Sequence, residues 1–305
     1  MSQTTVELPK KSKEQQWAVW DSTRLNDLPF RSGDILIDTW SKAGTTWTQQ
    51  LVSQLIFPGD PDVYGMAMSP WPEFRMLPKE DAFAMAEAQT HRRFLKSHSC
   101  IEAIPFRDDM KYIYVARDAR DVVWSMYHHH NIITDQALDI LNNSPGRVGQ
   151  AITKPGCDVV TYYHHFLDTG SLPGFGPENE FWSHVQGWFD ARHVPNIKVI
   201  HYNNLKDDLE GVGRSLADFL GIEVDEALWP KIVANCSLQH MKDVASRFEL
   251  LDMVFDGGGA NFINKGTNGR WKDLLSKEEI DKCDRVASEQ LSPECADWLR
   301  TGQMP

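Results

Sequence analysis

The stretch "DILIDTWSKAGTTWTQQL", residues 34–51, decides the expected fold because it joins three different patterns. Its first five residues form a short apolar run that is typical of a buried strand. From Thr45 onward, apolar side chains recur at three- and four-residue spacing until Phe-Pro-Gly at 57–59, which predicts an amphipathic helix. The loop between them contains Gly44 and two threonines. The stretch therefore predicts a strand, a phosphate-binding loop and a helix in the order of a nucleotide site.

Length, charge and cysteine content narrow the class of protein. The 305 residues are expected to form one domain, 1–305, that begins with a polar arm at 1–25. A net charge of −12 repels nucleic acid and acidic membranes, so an anionic ligand needs a local cluster of Lys and Arg. Five scattered cysteines without a CxxC pair, and no signal peptide or membrane span, indicate a soluble protein of the reducing cytoplasm without a nucleic-acid partner.

Three further strands and the helices between them are expected along the chain. Residues 92–98, 111–118 and 196–202 have the composition of strands, and the second leads directly into an amphipathic helix. Strands that alternate with helices favour an α/β fold with a central parallel sheet. The irregular segments 58–88 and 131–180 are predicted to form a lid or a pocket wall and a long excursion with short helices.

A second anion-binding loop is predicted at "FDGGGANFINKGTNGRW", residues 255–271. Closely spaced glycines can leave backbone N–H groups free for an anion, and Lys265 and Arg270 add positive charge.

The first loop differs from an ordinary Walker loop in the position of its lysine. The pattern GxxxxGK[ST] is absent, and Lys42 precedes Gly44. A lysine there can reach the oxygen that bridges a nucleotide phosphate and the group being transferred. A sulfuryl group carries less negative charge than a terminal phosphoryl group, so its transfer can proceed without magnesium. The alternative is a strand-to-helix turn with a surface lysine.

Five motifs together resemble the cytosolic sulfotransferases, which use 3′-phosphoadenosine 5′-phosphosulfate as the donor and release adenosine 3′,5′-bisphosphate. The motifs are "SKAGTTW" (41–47), "FLKSH" (94–98), "VARDARDVVWSMYHH" (115–129), "VIHYNNLKDDL" (199–209) and "NKGTNGRWKDLL" (264–275). They occur in the family's order. The resemblance implies a P-loop nucleotide-kinase-like fold and sulfuryl transfer to a hydroxyl or amine by in-line displacement, with no metal.

The resemblance assigns catalytic roles to three residues. His98 is the expected base, Lys42 stabilises the leaving oxygen, and Lys96 orients the transferred group. The alternatives are a surface or core histidine at 98 and a solvated lysine at 96. The histidines at 128–130 are expected at a helix end rather than in a metal site.

The resemblance also assigns residues to nucleotide binding. Arg117 and Ser125 are expected on the 3′-phosphate, although Arg117 could instead cap a helix by pairing with Asp118 or Asp121. The full set is Lys42, Ala43, Gly44, Thr45, Thr46, Trp47, Arg117, Ser125, Tyr202, Cys236, Ser237, Met241, Asn264, Lys265 and Gly266.

The chain departs from the family pattern at several positions. Asn264 stands where the family has an arginine on the 3′-phosphate, and we hypothesise that Arg270 replaces it. Cys236 and Leu238 stand where a threonine and an aromatic residue are usual. In the dimer motif, the window at 272–281 has Lys277 in place of valine, so a homodimer is possible but not implied.

Two other functions remain open from the sequence alone. A nucleotide-dependent kinase would need a Walker lysine and a magnesium-binding carboxylate, and a regulatory protein that has lost catalysis would not need Lys42 and His98. The acceptor is expected to be a small aromatic or lipid-like alcohol, because the aromatic- and Met-rich segment 64–85 and the excursion 132–175 suit an apolar pocket.

Overall fold

The computed structural model describes residues 7–172 and 180–305, and a parallel sheet lies at its centre. In this part of the chain, the sheet has four strands: β1 (Ile35–Thr39), β2 (Phe94–Ser97), β3 (Lys111–Ala116) and β4 (Ile197–His201). Their spatial order is β2-β1-β3-β4, and every pair is parallel. The next two strands along the chain, β2 and β3, lie on opposite sides of β1. Ligands of such sheets bind where the strand order reverses in this way, which here is the carboxyl end of β1.

Both faces of the sheet are buried, which explains why the strand segments of the sequence are apolar runs. Alternate residues of each strand enter opposite hydrophobic clusters, Leu36 on one face and Ile35 and Ile37 on the other. On the Ile37 face the sheet packs against Leu51 and other residues of the helix that follows β1. A third cluster outside the sheet contains Tyr64, Ile132, Met241 and Phe255.

The helices cover the faces and the carboxyl edge of the sheet. Before β4 they are α1 (Thr45–Ile56), α2 (Gly65–Met68), α3 (Lys79–Glu87), α4 (Ala119–Asn131), α5 (Asp135–Asn142), α6 (Val159–Thr169) and α7 (Glu180–Asp190). After it they are α8 (Tyr202–Asp207), α9 (Leu209–Leu220), α10 (Trp229–Asn235), α11 (Leu238–Ala245), α12 (Leu250–Val254), α13 (Gly258–Phe262), α14 (Lys277–Gln290) and α15 (Pro293–Thr301). Short 3-10 turns occupy Ser22–Asn26, Ile101–Ala103, Ala191–His193 and Glu226–Leu228.

The predicted α/β fold is confirmed, and each predicted strand contains an observed one. The helix after the loop ends at Ile56, just before the Phe-Pro-Gly that predicted its end. The irregular segments contain the short helices α2, α3, α5 and α6, and Phe175 at the end of the predicted excursion lies outside the described residues. Among the described helices, none is both long and apolar enough to cross a bilayer. The division into one domain stays a prediction.

The three consecutive glycines form the start of α13, where the Gly258 N–H donates to the Phe255 carbonyl oxygen at 2.8 Å, and the predicted binding of an anion by this segment stays a prediction. Gly258 and Gly259 lie inside α13, and a Cβ atom on Gly259 would stand 2.0 Å from the carbonyl oxygen of Ala245. These glycines therefore allow α13 to pack closely on α11. The loop further along keeps left-handed backbone at Gly266 and Gly269.

Candidate active site

The loop after β1 is held in a strained conformation that aims its backbone at the carboxyl edge of the sheet. Lys42 has a φ of 68°, which L residues rarely adopt, and Gly44 has a φ of 128° at the start of α1. A Cβ atom on Gly44 would lie 3.0 Å from the Tyr202 ring, so a side chain there would push into it. The hydroxyls of Thr39 and Thr45 are 2.6 Å apart and join the end of β1 to the first turn of α1. The free N–H groups of that turn suit an anion.

His98 follows β2 and lies level with the end of β1, because Ser97 pairs with Asp38. Its Nδ1 is 2.7 Å from the Thr39 carbonyl oxygen. A carbonyl only accepts, so Nδ1 carries the proton and the neutral ring presents Nε2 as an acceptor. Burial, followed by the charge of Lys96, holds the pKa of His98 well below its usual range. The imidazole is therefore neutral at pH 7 and can take a proton at Nε2.

Two half-buried lysines, Lys42 and Lys96, lie at this edge of the sheet, and the ammonium of each packs against an aromatic ring. The Lys42 Nζ is 4.5 Å from the centre of the Phe262 ring, and the Lys96 Nζ is 4.0 Å from that of Trp71. Loss of water, and then the charges of Lys96, Arg117 and Arg270, lower the pKa of Lys42 to about 7. Loss of water also lowers the pKa of Lys96 to about 8. An anion bound between them would restore their charge.

Arg117 lies at the end of β3 and is held against the loop from β1. Its guanidinium stacks 4.1 Å from the Tyr202 ring centre and donates to the Lys42 carbonyl oxygen at 3.3 Å. Two of its nitrogens donate to Asn268 Oδ1, at 3.0 and 2.6 Å. Asp118 and Asp121 do not accept from Arg117, which argues against the predicted alternative of a helix cap. Ser125 is half-buried on α4, and no hydrogen bond joins it to Arg117.

Arg270 belongs to the same positive cluster. The charges of Arg117 and Arg270 help to lower the pKa of Lys42. Burial lowers the pKa of Arg270, and the charge of Arg117 lowers it further. Arg270 Nε is buried and has no hydrogen-bond partner in the described part of the chain. Asp121 faces Arg270 and accepts from the Gly269 N–H at 2.7 Å, which fixes the loop. The neighbouring Lys265 is exposed. An unpaired guanidinium here fits a bound phosphate.

The residues predicted for the adenine end come together around the start of α1. The rings of Trp47 and Tyr202 meet edge to face with centres 5.4 Å apart, and Trp47 Nε1 donates to the Cys236 carbonyl oxygen at 2.9 Å. Ser237 caps α11, and Met241 is buried in the third hydrophobic cluster. The position of Met241 is that of a core residue, and its predicted contact with a nucleotide stays a prediction.

The sequence analysis missed two buried carboxyl groups beside the site. Asp38 of β1 lies 3.3 Å from His184 Nε2, and His184 Nδ1 is 3.1 Å from the Tyr114 hydroxyl. Glu73 is fully buried and lies beside the strand end that carries His98. Burial raises the pKa of Glu73 to about 8. A sequence signal for Glu73 exists: it is an acidic residue inside the apolar stretch "SPWPEFRMLP".

Apolar and aromatic groups close the rest of the site. The Trp71 ring lies edge-on to His98 with centres 4.9 Å apart, and the Trp20 ring centre lies 6.3 Å from His98. The histidines at 128–130 lie in the last turn of α4, as predicted. The surroundings of His129 are not those of an exposed helix end, however. The centre of its ring lies 4.9 Å from the centre of the Phe255 ring. Burial lowers the pKa of His129, and the charge of Lys42 lowers it further. Within the described residues, no group of three or more His, Cys, Asp or Glu could hold a metal ion.

Comparisons with a family model and with individual sequences agree on one protein family. The model of the sulfotransferase domain family matches residues 32–293. A glycolipid sulfotransferase of Mycobacterium bovis (strain BCG / Pasteur 1173P2) is 29% identical over 306 aligned positions, covering 93% of this chain and 92% of that protein. Human sulfotransferase 1C2 is 26% identical over 273 positions, covering 87% of this chain and 85% of that protein.

Solved structures share the fold. A retinol dehydratase in complex with androsterone and the inactive cofactor PAP superposes with a TM-score of 0.69 at 20% identity, covering 90% of this chain and 87% of that one. Mouse sulfotransferase SULT7A1 complexed with PAP gives 0.67 at 19% identity, covering 91% and 92%. At this level of identity the likeness shows the fold, and the roles of individual residues rest on the geometry above.

Proposed function

Because this chain belongs to the sulfotransferase domain family, we propose that it transfers a sulfuryl group from 3′-phosphoadenosine 5′-phosphosulfate to a hydroxyl or amine of a small hydrophobic acceptor. The observation that carries the proposal is the meeting of His98, Lys42 and Lys96 at one edge of the sheet. Burial lowers the pKa of all three side chains, and the charge of Lys96 lowers the pKa of His98 and of Lys42 further. Clustered pKa shifts of this kind mark sites of proton transfer and anion binding.

The residues present fit the donor. Its two ends are anionic, and the site offers Lys42, Arg117 and Arg270, with a buried unpaired nitrogen on Arg270. When bound, the donor supplies the sulfuryl group from a mixed anhydride with phosphate. The loop amides and Lys42 hold the phosphate end where that bond breaks, while Arg117 and Arg270, with Ser125 and Lys265, hold the 3′-phosphate.

His98 is the base in the proposed mechanism. Its Nδ1–H is fixed on the Thr39 carbonyl, so Nε2 is the atom that takes the acceptor's proton. Lys42 stabilises charge on the leaving oxygen, and Lys96 steadies the sulfuryl group. The aromatic rings beside His98 exclude water and allow in-line attack by a positioned hydroxyl.

An apolar acceptor is supported by the same rings. Trp71 and Trp20 face His98, and Phe262 covers Lys42, so the space beside the base is bounded by aromatic carbon. Relatives point the same way, since one is named for glycolipids and a structural neighbour holds androsterone. We propose that the acceptor is a flat or lipid-like alcohol. The proposed compartment is the cytoplasm, and a homodimer remains a prediction.

One experiment separates this function from its alternatives. The protein is incubated with radiolabelled 3′-phosphoadenosine 5′-phosphosulfate or with labelled ATP and magnesium, each with and without EDTA. The acceptors are 2-naphthol, androsterone, retinol, a long-chain alkyl alcohol and a glycolipid. We expect transfer from the sulfated donor that EDTA does not abolish. Transfer from ATP alone, lost with EDTA, would establish a kinase, and tight donor binding without turnover would establish a regulatory protein.

A further inference from the structure

We infer that Glu73 is a positioning residue that sets the orientation of His98 by binding the two serine hydroxyls on either side of it. The inference rests on the proposed function, in which His98 is the base. Glu73 does not contact the reacting atoms in this role, and acts only through the strand end that carries the imidazole.

The segment containing Glu73 runs beside the edge strand β2. The Lys96 N–H donates to the Pro70 carbonyl oxygen at 2.9 Å, so the segment satisfies a backbone group at the free edge of the sheet. The next residue, Trp71, lies beneath the Lys96 ammonium and against the His98 ring. The segment at 70–73 therefore contacts the strand end at both functional residues.

Glu73 makes the contacts that fix the backbone around His98. Its Oε1 accepts from the Ser97 hydroxyl at 3.1 Å and also from the Ser99 hydroxyl. The Ser99 N–H in turn donates to the Ser97 hydroxyl oxygen at 3.2 Å. One carboxyl oxygen thus binds the residues immediately before and after His98, at the point where β2 ends and strand pairing no longer holds the chain.

The position of the imidazole depends on this arrangement. The Nδ1–H reaches the Thr39 carbonyl only while the backbone at 97–99 stays level with the end of β1. If the serines lose their common acceptor, the base can shift relative to the acceptor hydroxyl, and a displacement of about 1 Å can cost about 100-fold in rate.

Packing alone does not explain a carboxyl group at this position. Glu73 is fully buried, its Oε2 has no hydrogen-bond partner among the described residues, and no Lys or Arg donates to it. An apolar side chain of similar size would avoid the cost of desolvation. The backbone of Glu73 already holds the segment, because its carbonyl accepts from the Asp21 N–H at 2.9 Å. Beside its electrostatic interaction with Lys96, the carboxyl group thus has the two serine hydroxyls as its hydrogen-bond donors, and the inference rests on these two bonds.

The test uses four variants of the full chain: Glu73→Gln, Glu73→Leu, the double variant Ser97→Ala/Ser99→Ala, and the control Ser53→Ala. Ser53 is buried, and its hydroxyl bonds only within α1, to the Gln50 carbonyl at 2.7 Å. The measurements are kcat, the KM for each substrate, the Kd for adenosine 3′,5′-bisphosphate and Tm. The acceptor is 2-naphthol or the member of the panel above that is turned over fastest.

We expect Glu73→Leu and the double serine variant to lower kcat by about 10- to 100-fold with donor affinity unchanged. Glu73→Gln should keep kcat within about threefold of wild type, because its amide oxygen accepts from the same hydroxyls. Ser53→Ala should keep the wild-type rate. Wild-type kcat in both the Leu and the double serine variants would overturn the inference, as would a loss of rate in Glu73→Gln as large as in Glu73→Leu.

A second measurement does not depend on activity. Diethyl pyrocarbonate modifies accessible neutral imidazoles, and the rate at His98 can be followed by mass spectrometry of its tryptic peptide. His98 is only 5% exposed, so we expect slow modification in wild type and Glu73→Gln and faster modification in the other two site variants. If the wild type transfers no sulfuryl group, the proposed function fails, while an unchanged rate at His98 in all variants would reject the positioning role by itself.

Discussion

The two ends of the site are built in different ways. The reaction end, defined as Lys42, Lys96 and His98, comes from the adjacent strands β1 and β2, whose register places Ser97 opposite Asp38. The phosphate end, defined as Arg117, Arg270 and the loop 264–269, joins the end of β3 to a segment about 150 residues later, through bonds such as that from Arg117 to Asn268. The reaction end has the two lysines and the histidine that the resemblance predicts, whereas the phosphate end lacks the expected arginine at 264.

The difference follows from what each end must do. Proton transfer needs one atom at one place, and paired strands hold such a place to a fraction of an ångström. Binding of a phosphate needs positive charge and donors, which a guanidinium can supply from either side of the loop. We therefore propose that Arg270 replaces the arginine expected at position 264, and we expect no similar exchange at the strand ends.

Substitution of His98 should give the largest effect, and it tests the reaction end alone. We expect His98→Ala to lower kcat by about 1,000-fold, because no other group can take the acceptor's proton at that position. The Kd for adenosine 3′,5′-bisphosphate, measured by calorimetry, should stay within about twofold. The exposed His193 gives the matched control His193→Ala, which should retain full activity. Retention of more than about a tenth of kcat in His98→Ala would show that His98 is not the base.

Removal of Arg270 should give a smaller effect of a different kind. We expect Arg270→Ala to weaken donor binding by about 10- to 100-fold, the cost of one charge-assisted contact, with little change in kcat. Asn264→Arg in the same background should restore most of the affinity. Lys265→Ala, which removes an exposed neighbour, is the comparison. If Arg270→Ala binds the donor normally while Lys265→Ala does not, the replacement of the missing arginine by Arg270 is wrong.

The sequence predicted that Lys42 and His98 would face each other at one edge of a parallel sheet, and the structure places them there. Lys42 and His98 each follow a strand that an apolar run reveals, and parallel strands bring their carboxyl ends to one edge. The helix after the loop and its end at Ile56 were predicted by periodicity and by Phe-Pro-Gly.

The remaining features depend on contacts that a single sequence does not encode locally. Glu73 bonds Ser99 across 26 residues of chain, and Asp38 of β1 contacts His184 of α7, with no periodic pattern to connect either pair. The close packing at the glycines 257–259 was not predicted, because close helix packing and an anion-binding loop both favour glycine. The contact between Gly259 and the Ala245 carbonyl joins α13 to α11, and the local sequence does not reveal it.

The effect of pH on stability should be the smallest change, and it should distinguish the two ends. Burial lowers the pKa of Lys42 to about 7 in the folded protein, so between pH 7 and the unfolded value near 10.5 the unfolded chain binds more protons. Wild type should therefore gain stability relative to Lys42→Met as pH rises from 6.5 to 8.5, by about 2 °C in Tm per pH unit above 7.

The matched variant at the phosphate end is Arg270→Met. Arginine remains charged in both states across this range, so its own titration adds no pH dependence. Arg270 contributes only the last and smallest part of the lowered pKa of Lys42, so the Tm difference between Arg270→Met and wild type should change with pH by much less than that of Lys42→Met. Lys96 and His98 face Lys42 and are present in wild type and in both variants. Their own titration therefore contributes to the stability of all three proteins. The measurement is thermal unfolding without ligand in buffers of equal ionic strength. A pH-independent difference for Lys42→Met would show that its ammonium is hydrated in the free protein, and that the reaction end is no less open to water than the phosphate end.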